Sequence, residues 1–449
     1  MEYLVIDLET TIKRHLKRAA SPFHPDNAAV IHITKRAGAP TRVDFLPQFT
    51  DPTAPKVWPL HITDDIDVIV GHNLKFDLLY MWHLPELRSF LKRGGKIWDT
   101  QYVEYLLQGQ QAHVQMCSLD SIVESYGGHL KPDVVKAHWK QGICTRDIHK
   151  DILLEYSTGD GDNTEAVYLG QLEKAAKMHK NTVRMIEQRM DGLLGTTEME
   201  YNGLQANKEE GDRQQAELAT KLKGLTEQLE QYLPELPPEF TFNWQSRYHK
   251  SYLIFGGVAK YEKWTQDLDE NGQPGYCMLG ARQPLFGGEP VPSEECALRP
   301  DGLLLWRGCT QDVFKSGKQA GAGKFKKVKV PDPTRPKGAK RDYYIKFQGY
   351  TTPKTEWIAG GTDAKGGPLY SSAEEVIEAL GKRDVPFLKL MAERQSLTKD
   401  LGTYYWQEDP KTGERKGMLT LINEFDGKVH HQLNHTSTVT TRLSSNAPK

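Results

Sequence analysis

The chain has 449 residues, of which 38% are hydrophobic and 26% charged, and its formal net charge is −1. This length allows two or three globular domains, each with its own core. The sequence starts without the basic head and apolar run of a signal peptide and has no run of about 18 apolar residues, so we exclude membrane classes and expect a cytoplasmic protein.

The first 185 residues alternate short apolar runs with helix-like stretches, which is typical of an α/β layer. The apolar runs 3–8 and 66–70 are predicted to be buried strands, and 153–171 is predicted to be a helix. We therefore expect a first domain of α/β class over residues 1–185.

Acidic residues stand where the two predicted strands end. Asp7 and Glu9 are two positions apart on the first strand, so their side chains face the same way. Asn73 and Asp77 follow the second strand and are four positions apart, so they share a face if a helix begins there. The carboxylates of Asp7 and Glu9, and then that of Asp77, are therefore predicted to lie close together, and carboxylate oxygens are ligands that suit a hard cation.

The predicted helix carries Tyr156, Asp160 and Thr164 at steps of four, which places a phenol and a carboxylate on one stripe. Gly159 and Gly161 lie within this predicted helix, where each glycine lowers helix stability by about 1 kcal/mol relative to alanine. Close approach to another backbone or ordinary tolerance explains them, and both alternatives stay open here.

Each motif has an ordinary structural interpretation when taken alone. An Asp-x-Glu pair at a strand end is most often a solvated edge, and a Tyr-x-x-x-Asp pair on a helix is most often on the surface. A cluster of four carboxylates, however, would repel and partly protonate unless cations neutralised it. The motifs occurring together and in this order therefore indicate a catalytic cation site far more specifically than any single motif does.

The ordered motifs resemble the DEDD exonuclease superfamily in its tyrosine-bearing branch, although the second motif, 73–77, is one residue tighter than the family pattern. That segment is also similar to the second motif of the proofreading domain of bacterial DNA polymerase I. The resemblance implies a ribonuclease H-like domain with a mixed sheet and 3′→5′ exonuclease activity. It further implies that two Mg²⁺ ions, or Mn²⁺ as an alternative, bind Asp7, Glu9, Asp77 and Asp160.

The same resemblance assigns the remaining roles at the site. Tyr156 would orient the attacking water, and Asn73 and Thr10 would position the terminal nucleotide. Phe76 belongs with these substrate-binding residues, although packing is its commoner role.

The second half of the chain begins with a helical pattern after Asn207, which forms a predicted capping box with Glu210. Residues 265–367 are rich in glycine, proline and lysine and predict a loop-rich β insertion, with strands at 325–330 and 343–347. A second helical stretch is predicted over 372–405, followed by hairpins.

Segments 197–207, 242–257, 392–405 and 427–448 resemble family A DNA polymerases of phage type, and the last is similar to the Thr-x-Thr-Gly-Arg-Leu-Ser-Ser approach to the palm. Thr441 stands where that family usually has glycine. The resemblance implies that residues 186–449 form the N-terminal part of the polymerase domain, a mainly helical thumb with the basic insertion. The palm carboxylates would follow Lys449, so polymerisation is expected to need a complementary palm and fingers fragment. A second polymerase subunit, a gene interrupted by an intervening element and an experimental truncation are the three explanations that stay open.

Donors suited to phosphates are the predicted DNA-binding residues. They are Lys324, Lys326, Lys327, Lys329, Arg394, Lys399, Arg442, Ser444 and Ser445. The expected partners are a single-stranded 3′ end and primer–template DNA, with a processivity factor as the competing partner of the insertion. The alternatives are a stand-alone 3′→5′ exonuclease of DNA or RNA and a non-catalytic DNA-binding assembly subunit. A phage protein would act in the bacterial host cytoplasm.

Overall fold

The computed structural model describes residues 2–47, 56–130, 134–381, 385–409, 411–440 and 442–446. It forms two compact units, one made of Met1–Gly224 with Ser396–Lys449 and the other of Leu225–Gln395. The domain boundary predicted after residue 185 falls inside the first unit and stays a prediction.

The first unit opens with a mixed sheet and its helices. In chain order these elements are β1 (Tyr3–Thr10), β2 (Ala29–Arg36), β3 (Arg42–Phe45), β4 (Val68–Gly71), α1 (Lys75–Met81), α2 (Pro85–Lys92), β5 (Lys96–Asp99), α3 (Thr100–Leu107), α4 (Leu119–Ile122), α5 (Val134–Lys140), α6 (Lys150–Lys177) and α7 (Thr182–Asn202). The sheet order is β3-β2-β1-β4-β5. Since β1 pairs antiparallel with β2 and parallel with β4, the predicted α/β fold with a mixed sheet is confirmed.

The sheet is held by apolar residues on its central strands. Val5 of β1 and Ile69 of β4 are fully buried, as is Leu78 of α1 against them. A continuous apolar run suits a central strand, because neighbours cover both of its faces. Strand β1 extends past the predicted end at residue 8, so Asp7 and Glu9 lie within the strand.

The rest of the chain alternates short strands with four further helices in the described residues. These are β6 (Leu204–Gln205), α8 (Lys208–Glu230), α9 (Arg247–Phe255), β7 (Gly257–Gln266), β8 (Tyr276–Phe286), β9 (Glu289–Pro290), β10 (Ala297–Leu298), β11 (Leu304–Trp306), β12 (Cys309–Thr310), β13 (Phe325–Pro336), β14 (Gly338–Phe347), β15 (Ile358–Thr362), β16 (Pro368–Tyr370), α10 (Glu374–Leu380), α11 (Leu388–Thr403), β17 (Gln407–Glu408), β18 (Arg415–Lys416), β19 (Lys428–Val429), β20 (Gln432–Asn434) and β21 (Ser444–Asn446).

The second unit contains the predicted insertion as two long antiparallel ribbons, β7 with β14 and β8 with β13. The strands predicted at 325–330 and 343–347 are present and are longer than predicted. The core of this unit includes Ile254, Leu380 and Phe387, none of which is measurably exposed.

The predicted helix after Asn207 is α8, and its first turn is capped as expected. The Asn207 side-chain oxygen accepts the Glu210 backbone N–H at 3.1 Å. The Glu210 carboxylate, however, accepts from Arg213 at 2.6 Å, so the reciprocal half of the capping box gives way to an ion pair. The stretch predicted over 372–405 contains two helices, α10 and α11, and Pro386 disfavours helical backbone at Val385, shortly before α11 begins.

None of the described helices combines the length and apolarity needed to cross a bilayer. The five cysteines are free thiols, of which Cys117 is buried and Cys309 exposed. The thiol pKa of Cys117 is raised to about 12 by burial, with Glu104 and Asp99 adding to the rise, so this sulfur stays protonated.

His32 is expected to make stability depend on pH. It lies on β2 opposite Asp44, is 4% exposed, and its buried Nε2 has no hydrogen-bond partner in the described residues. Burial lowers its pKa to about 4, so between pH 6.5 and 4 the unfolded chain binds a proton that the folded chain does not. Stability should therefore fall by roughly 3 kcal/mol as the pH drops through that window.

Urea denaturation across this pH range measures the effect. The His32→Leu variant should lose part of the pH dependence. Other buried histidines contribute to the remainder, among them His435, whose pKa burial also lowers to about 4. An unchanged pH profile in His32→Leu would contradict the assignment.

Candidate metal and catalytic site

Three carboxylates converge on the central strand. Asp7 and Glu9 project from β1, and Asp160 projects from α6. One ligand oxygen from each lies within 4.8 Å of the others. Glu9 and Asp160 are buried and Asp7 is half-buried, so their negative charges share a site with little solvent to screen them.

Asp77 stands beside this group but is bound differently. It is on α1, is 2% exposed, and its Oδ1 accepts the backbone N–H of Leu8 at 3.0 Å. Leu8 lies between Asp7 and Glu9, so the bond fixes α1 against the segment that carries both acids. Burial raises the pKa of Asp77, and the charge of Asp7 raises it further. Among the described residues, the carboxylates that lie within 4.8 Å of one another are those of Asp7, Glu9 and Asp160. Asp77 lies next to these three acids and contacts the backbone between two of them.

The Tyr156 phenol adjoins the same group. It is 8% exposed and lies one turn before Asp160 on α6. Burial raises its pKa well above the usual value, and the charges of Asp160, Glu9 and Asp7 raise it further. The hydroxyl therefore keeps its proton at neutral pH and remains a hydrogen-bond donor.

Asn73 is held in an uncommon backbone conformation by an acid absent from our predictions. Its φ is +56°, in the left-handed region, and its N–H donates to Asp99 Oδ1 at 3.1 Å. Asp99 Oδ1 also accepts the N–H groups of Gln101 and Tyr102. Burial raises the pKa of Asp99 to about 6, although these backbone donors oppose the rise.

Asp99 ends β5, which pairs parallel with β4. An acid directly after an apolar strand was the signal that identified Asp7 and Glu9, and the same signal marks Asp99. It acts on Asn73 and is therefore a positioning residue.

Thr10 and Phe76 are mainly packed. Thr10 is 6% exposed, and its carbonyl oxygen accepts from the Thr145 hydroxyl at 2.6 Å. Phe76 is half-buried, with its ring centroid 5.5 Å from that of Tyr80. Asn73, in contrast, is exposed.

Gly161 lets α6 approach the sheet. A Cβ at this position would lie 2.6 Å from Thr41 Cγ2 and 3.2 Å from Ile33 Cγ2. Close approach therefore accounts for Gly161, but the neighbours are side chains and not another backbone. Asp160 directly precedes Gly161, so the close packing of α6 at Gly161 also determines how near the Asp160 carboxylate lies to the sheet.

The Gly161→Ala variant should be less stable by about 1–3 kcal/mol, because the added methyl group overpacks this contact. Gly192→Ala is the matched control, since a Cβ there meets nothing within 4 Å. Gly192 lies in α7, so its replacement should stabilise by about 0.5–1 kcal/mol. Urea denaturation measures both, and equal stabilisation by the two changes would contradict the packing argument.

The predicted DNA-binding residues near the end of the chain differ in exposure. Lys399 and Arg442 are exposed, whereas Ser444 and Ser445 are half-buried in β21, which pairs with β20. Arg394 is partly used in packing, since its Nε donates to Thr226 Oγ1 at 2.9 Å. Burial lowers the pKa of Arg394. Thr441 lies outside the described residues.

The lysines of the insertion lie on or beside β13. Lys326, Lys327 and Lys329 are exposed on the strand. Lys324 precedes it, with its ammonium 5.5 Å from the centre of the Phe314 ring.

Glu200 is a second buried acid that our sequence analysis did not single out. It is 1% exposed on α7 and pairs with Arg18 and Lys75, at 2.7 Å in each case. It also accepts the Leu433 N–H at 2.6 Å, while Lys75 donates to the Leu433 carbonyl. Lys75 is two residues from Asp77, so Glu200 joins the first turn of α1 to β20.

No protein-family model and no curated protein matches this chain. Among solved structures, it is similar to the POL domain of Pol1 from M. smegmatis in complex with DNA primer-template and dNTP, with a TM-score of 0.45 and 12% identity. The match covers 100% of this chain and 51% of that one, so the chain spans about half the length of that structure. At this score the likeness carries no argument for function.

Proposed function

We propose that the chain is a 3′→5′ exonuclease of DNA and the proofreading, template–primer-binding part of a family A DNA-directed DNA polymerase in phage replication. The observation that supports this most is the approach of Asp7, Glu9 and Asp160 oxygens within 4.8 Å of one another. The mixed sheet with these acids on its central strand supports a ribonuclease H-like nuclease domain.

The donor set fits hard divalent cations. All of its ligands are carboxylate oxygens, which Mg²⁺ prefers and Mn²⁺ accepts. The acids also need a cation, because three crowded carboxylates would otherwise repel one another. Asp77 is the proposed fourth ligand, and it would offer Oδ2, since Oδ1 accepts from Leu8. A pair of bound ions would activate a water molecule and stabilise the leaving 3′ oxygen.

The protein itself positions the reacting groups. Tyr156 keeps its proton, so its hydroxyl is proposed to hold and orient the attacking water. Asn73, exposed at the start of α1, is proposed to contact the terminal nucleotide. Thr10 and Phe76 would shape the pocket for that nucleotide through packing, and Asp99 would keep the Asn73 backbone in place.

The later residues are proposed to follow DNA without reading its sequence. Lys399 and Arg442 are exposed and suited to phosphates, whereas Ser444, Ser445 and Arg394 would contact DNA only through their accessible atoms. Lys324, Lys326, Lys327 and Lys329 are proposed as further contacts in the insertion. A polymerase subunit that carries palm and fingers is a further proposed partner, and a processivity factor is the competing partner of the insertion. We place the protein in the host cytoplasm.

The test uses the full chain and single-stranded DNA labelled at its 5′ end. With Mg²⁺ the products should shorten progressively from the 3′ end, and EDTA should stop the reaction. Faster degradation of RNA than of DNA would favour the alternative in which the chain is a stand-alone 3′→5′ exonuclease that is not part of a DNA polymerase. Binding without degradation would favour the non-catalytic assembly subunit, although the presence of all four acids and Tyr156 argues against it. Primer extension by this chain alone would contradict the proposed palm-and-fingers partner.

A further inference from the structure

One face of the ribbon formed by β8 and β13 carries positive charge and an aromatic ring. Lys327 lies directly opposite Arg282, Lys329 opposite Gly280, and Phe325 opposite Pro284. Opposite residues of an antiparallel pair share a face, and so do alternate residues along a strand. Arg282, Phe325, Lys327 and Lys329 therefore form one surface, the cationic face, and all four are exposed.

The charges of the cationic face are not neutralised within the protein. Among the described residues, none of the ion pairs includes Arg282, Lys327 or Lys329. Like charges directly opposite each other in a ribbon are destabilising, and Lys327 faces Arg282 in this way. An anion bound across the pair would relieve this repulsion.

The neighbouring ribbon of β7 and β14 shows the opposite arrangement. Four of its five cations are paired with acids, and Lys346 is the fifth. The pairs are Lys260–Asp342 at 2.8 Å, Lys263–Glu239 at 2.9 Å, Lys340–Glu262 at 3.7 Å and Arg341–Asp267 at 2.8 Å. Both ribbons are exposed and lysine-rich, so a merely solvated lysine surface would not explain the difference. Among the described residues, the three cations of the cationic face therefore keep their charge available for an external anion, whereas most of those on the β7/β14 ribbon do not.

The aromatic ring indicates what kind of anion fits. Phe325 is 43% exposed at one end of the cationic face, with the Arg282 guanidinium 5.7 Å from its ring centre. Exposed aromatic rings beside a row of cations are the arrangement that binds single-stranded nucleic acid, with phosphates on the cations and a base stacked on the ring. An acidic protein surface would satisfy the cations but has no need for the ring.

We propose that the cationic face binds single-stranded DNA, with phosphates at Arg282, Lys327 and Lys329 and a base on Phe325. The choice of DNA over RNA rests on the proposed function, whereas the contact itself does not. Lys326 lies on the opposite face of β13, and Lys324 lies over Phe314, so neither belongs to the cationic face and any contact they make with DNA is separate from this one.

Anisotropy of a dye-labelled oligothymidylate tests the proposal, with the full chain carrying Asp7→Ala and with EDTA present so that no DNA is degraded. Combined Arg282→Ala, Lys327→Ala and Lys329→Ala substitutions should weaken binding at least about tenfold at about 0.1 M salt. The slope of log affinity against log salt should fall by about 2, because each lost phosphate contact removes about 0.7. Combined Lys260→Ala, Lys263→Ala and Lys340→Ala substitutions remove the same charge from the paired ribbon and should leave the slope unchanged.

Phe325 supplies an independent readout. Phe325→Ala should weaken binding about fivefold or more without changing the salt slope, and Phe325→Trp should restore it. If the alanine triple variant does not fold, glutamine at the same three positions keeps the side-chain length and must give the same loss.

Several results would overturn the proposal. These are unchanged binding in the triple variant, an equal loss in the paired-ribbon control, or an acidic peptide that binds through the three cations with no effect of Phe325→Ala. Tighter binding of an oligouridylate would overturn the choice of DNA. The two proposals can fail separately. If the wild-type chain has no magnesium-dependent nuclease activity but the triple variant loses DNA binding, the proposed function is refuted and this inference is supported.

Discussion

Replacing Asp7 with alanine is expected to lower the rate of 3′-end hydrolysis by at least about 10³-fold, because one lost ligand removes several kcal/mol of charge stabilisation by the bound cations. Asp7 is a proposed ligand, and its charge also adds to the raised pKa of Asp77, of which burial is the larger cause. The loss should appear at saturating DNA, since the proposed phosphate-binding residues elsewhere in the chain would still hold the substrate. Single-turnover digestion of 5′-labelled DNA with Mg²⁺ measures it.

Asp162→Asn is the matched control for this change. Asp162 lies on the same helix as Asp160, but its carboxylate accepts from Lys35 at 2.6 Å and from Thr41 at 2.5 Å. The Asp162→Asn variant should therefore hydrolyse DNA at a rate within about threefold of the wild-type rate. Asp7→Ala should not destabilise the metal-free chain, because it removes a repelling charge from the cluster. Full activity in Asp7→Ala would refute the site.

Replacing Glu200 with alanine is expected to destabilise the first unit by about 3–5 kcal/mol, because Arg18 and Lys75 would then be buried cations without their shared carboxylate. Burial alone would raise the pKa of Glu200, but the charges of Lys75 and Arg18 outweigh it and hold the pKa below its usual value. The Leu433 N–H would also lose its acceptor. Urea denaturation near neutral pH measures the loss.

Glu198 provides the comparison two residues earlier on α7. Its side chain is 40% exposed and pairs with Arg88 at 2.7 Å. Exposed pairs contribute about 0–1 kcal/mol, and the Trp82 indole N–H, which donates to the same carboxylate at 2.7 Å, would lose its acceptor at a cost of about 1 kcal/mol. Glu198→Ala should therefore cost no more than about 2 kcal/mol. Similar losses in Glu198→Ala and Glu200→Ala would show that burial of the Glu200 pair does not matter.

Elements with a strong periodic pattern could be predicted from the sequence. The apolar run of β1 and the four-residue spacing on α6 gave the strand and the helix that bring Asp7, Glu9, Tyr156 and Asp160 to one place. Their ends were less predictable: β1 continues to Thr10, and α6 extends to Lys177. The predicted helical stretch over 372–405 failed at Pro386, whose effect on the preceding residue was not weighed.

The residues proposed to bind a cation could be selected from strand and helix periodicity, because backbone geometry alone places side chains on a face. How those faces meet depends on contacts between elements that are distant in the chain. Packing at Gly161 sets the depth of Asp160, and the Leu8 backbone N–H occupies one Asp77 oxygen. Strand pairing likewise brought Arg282 beside Lys327 and Lys329. Such contacts join residues far apart in the chain, so no local pattern contains them.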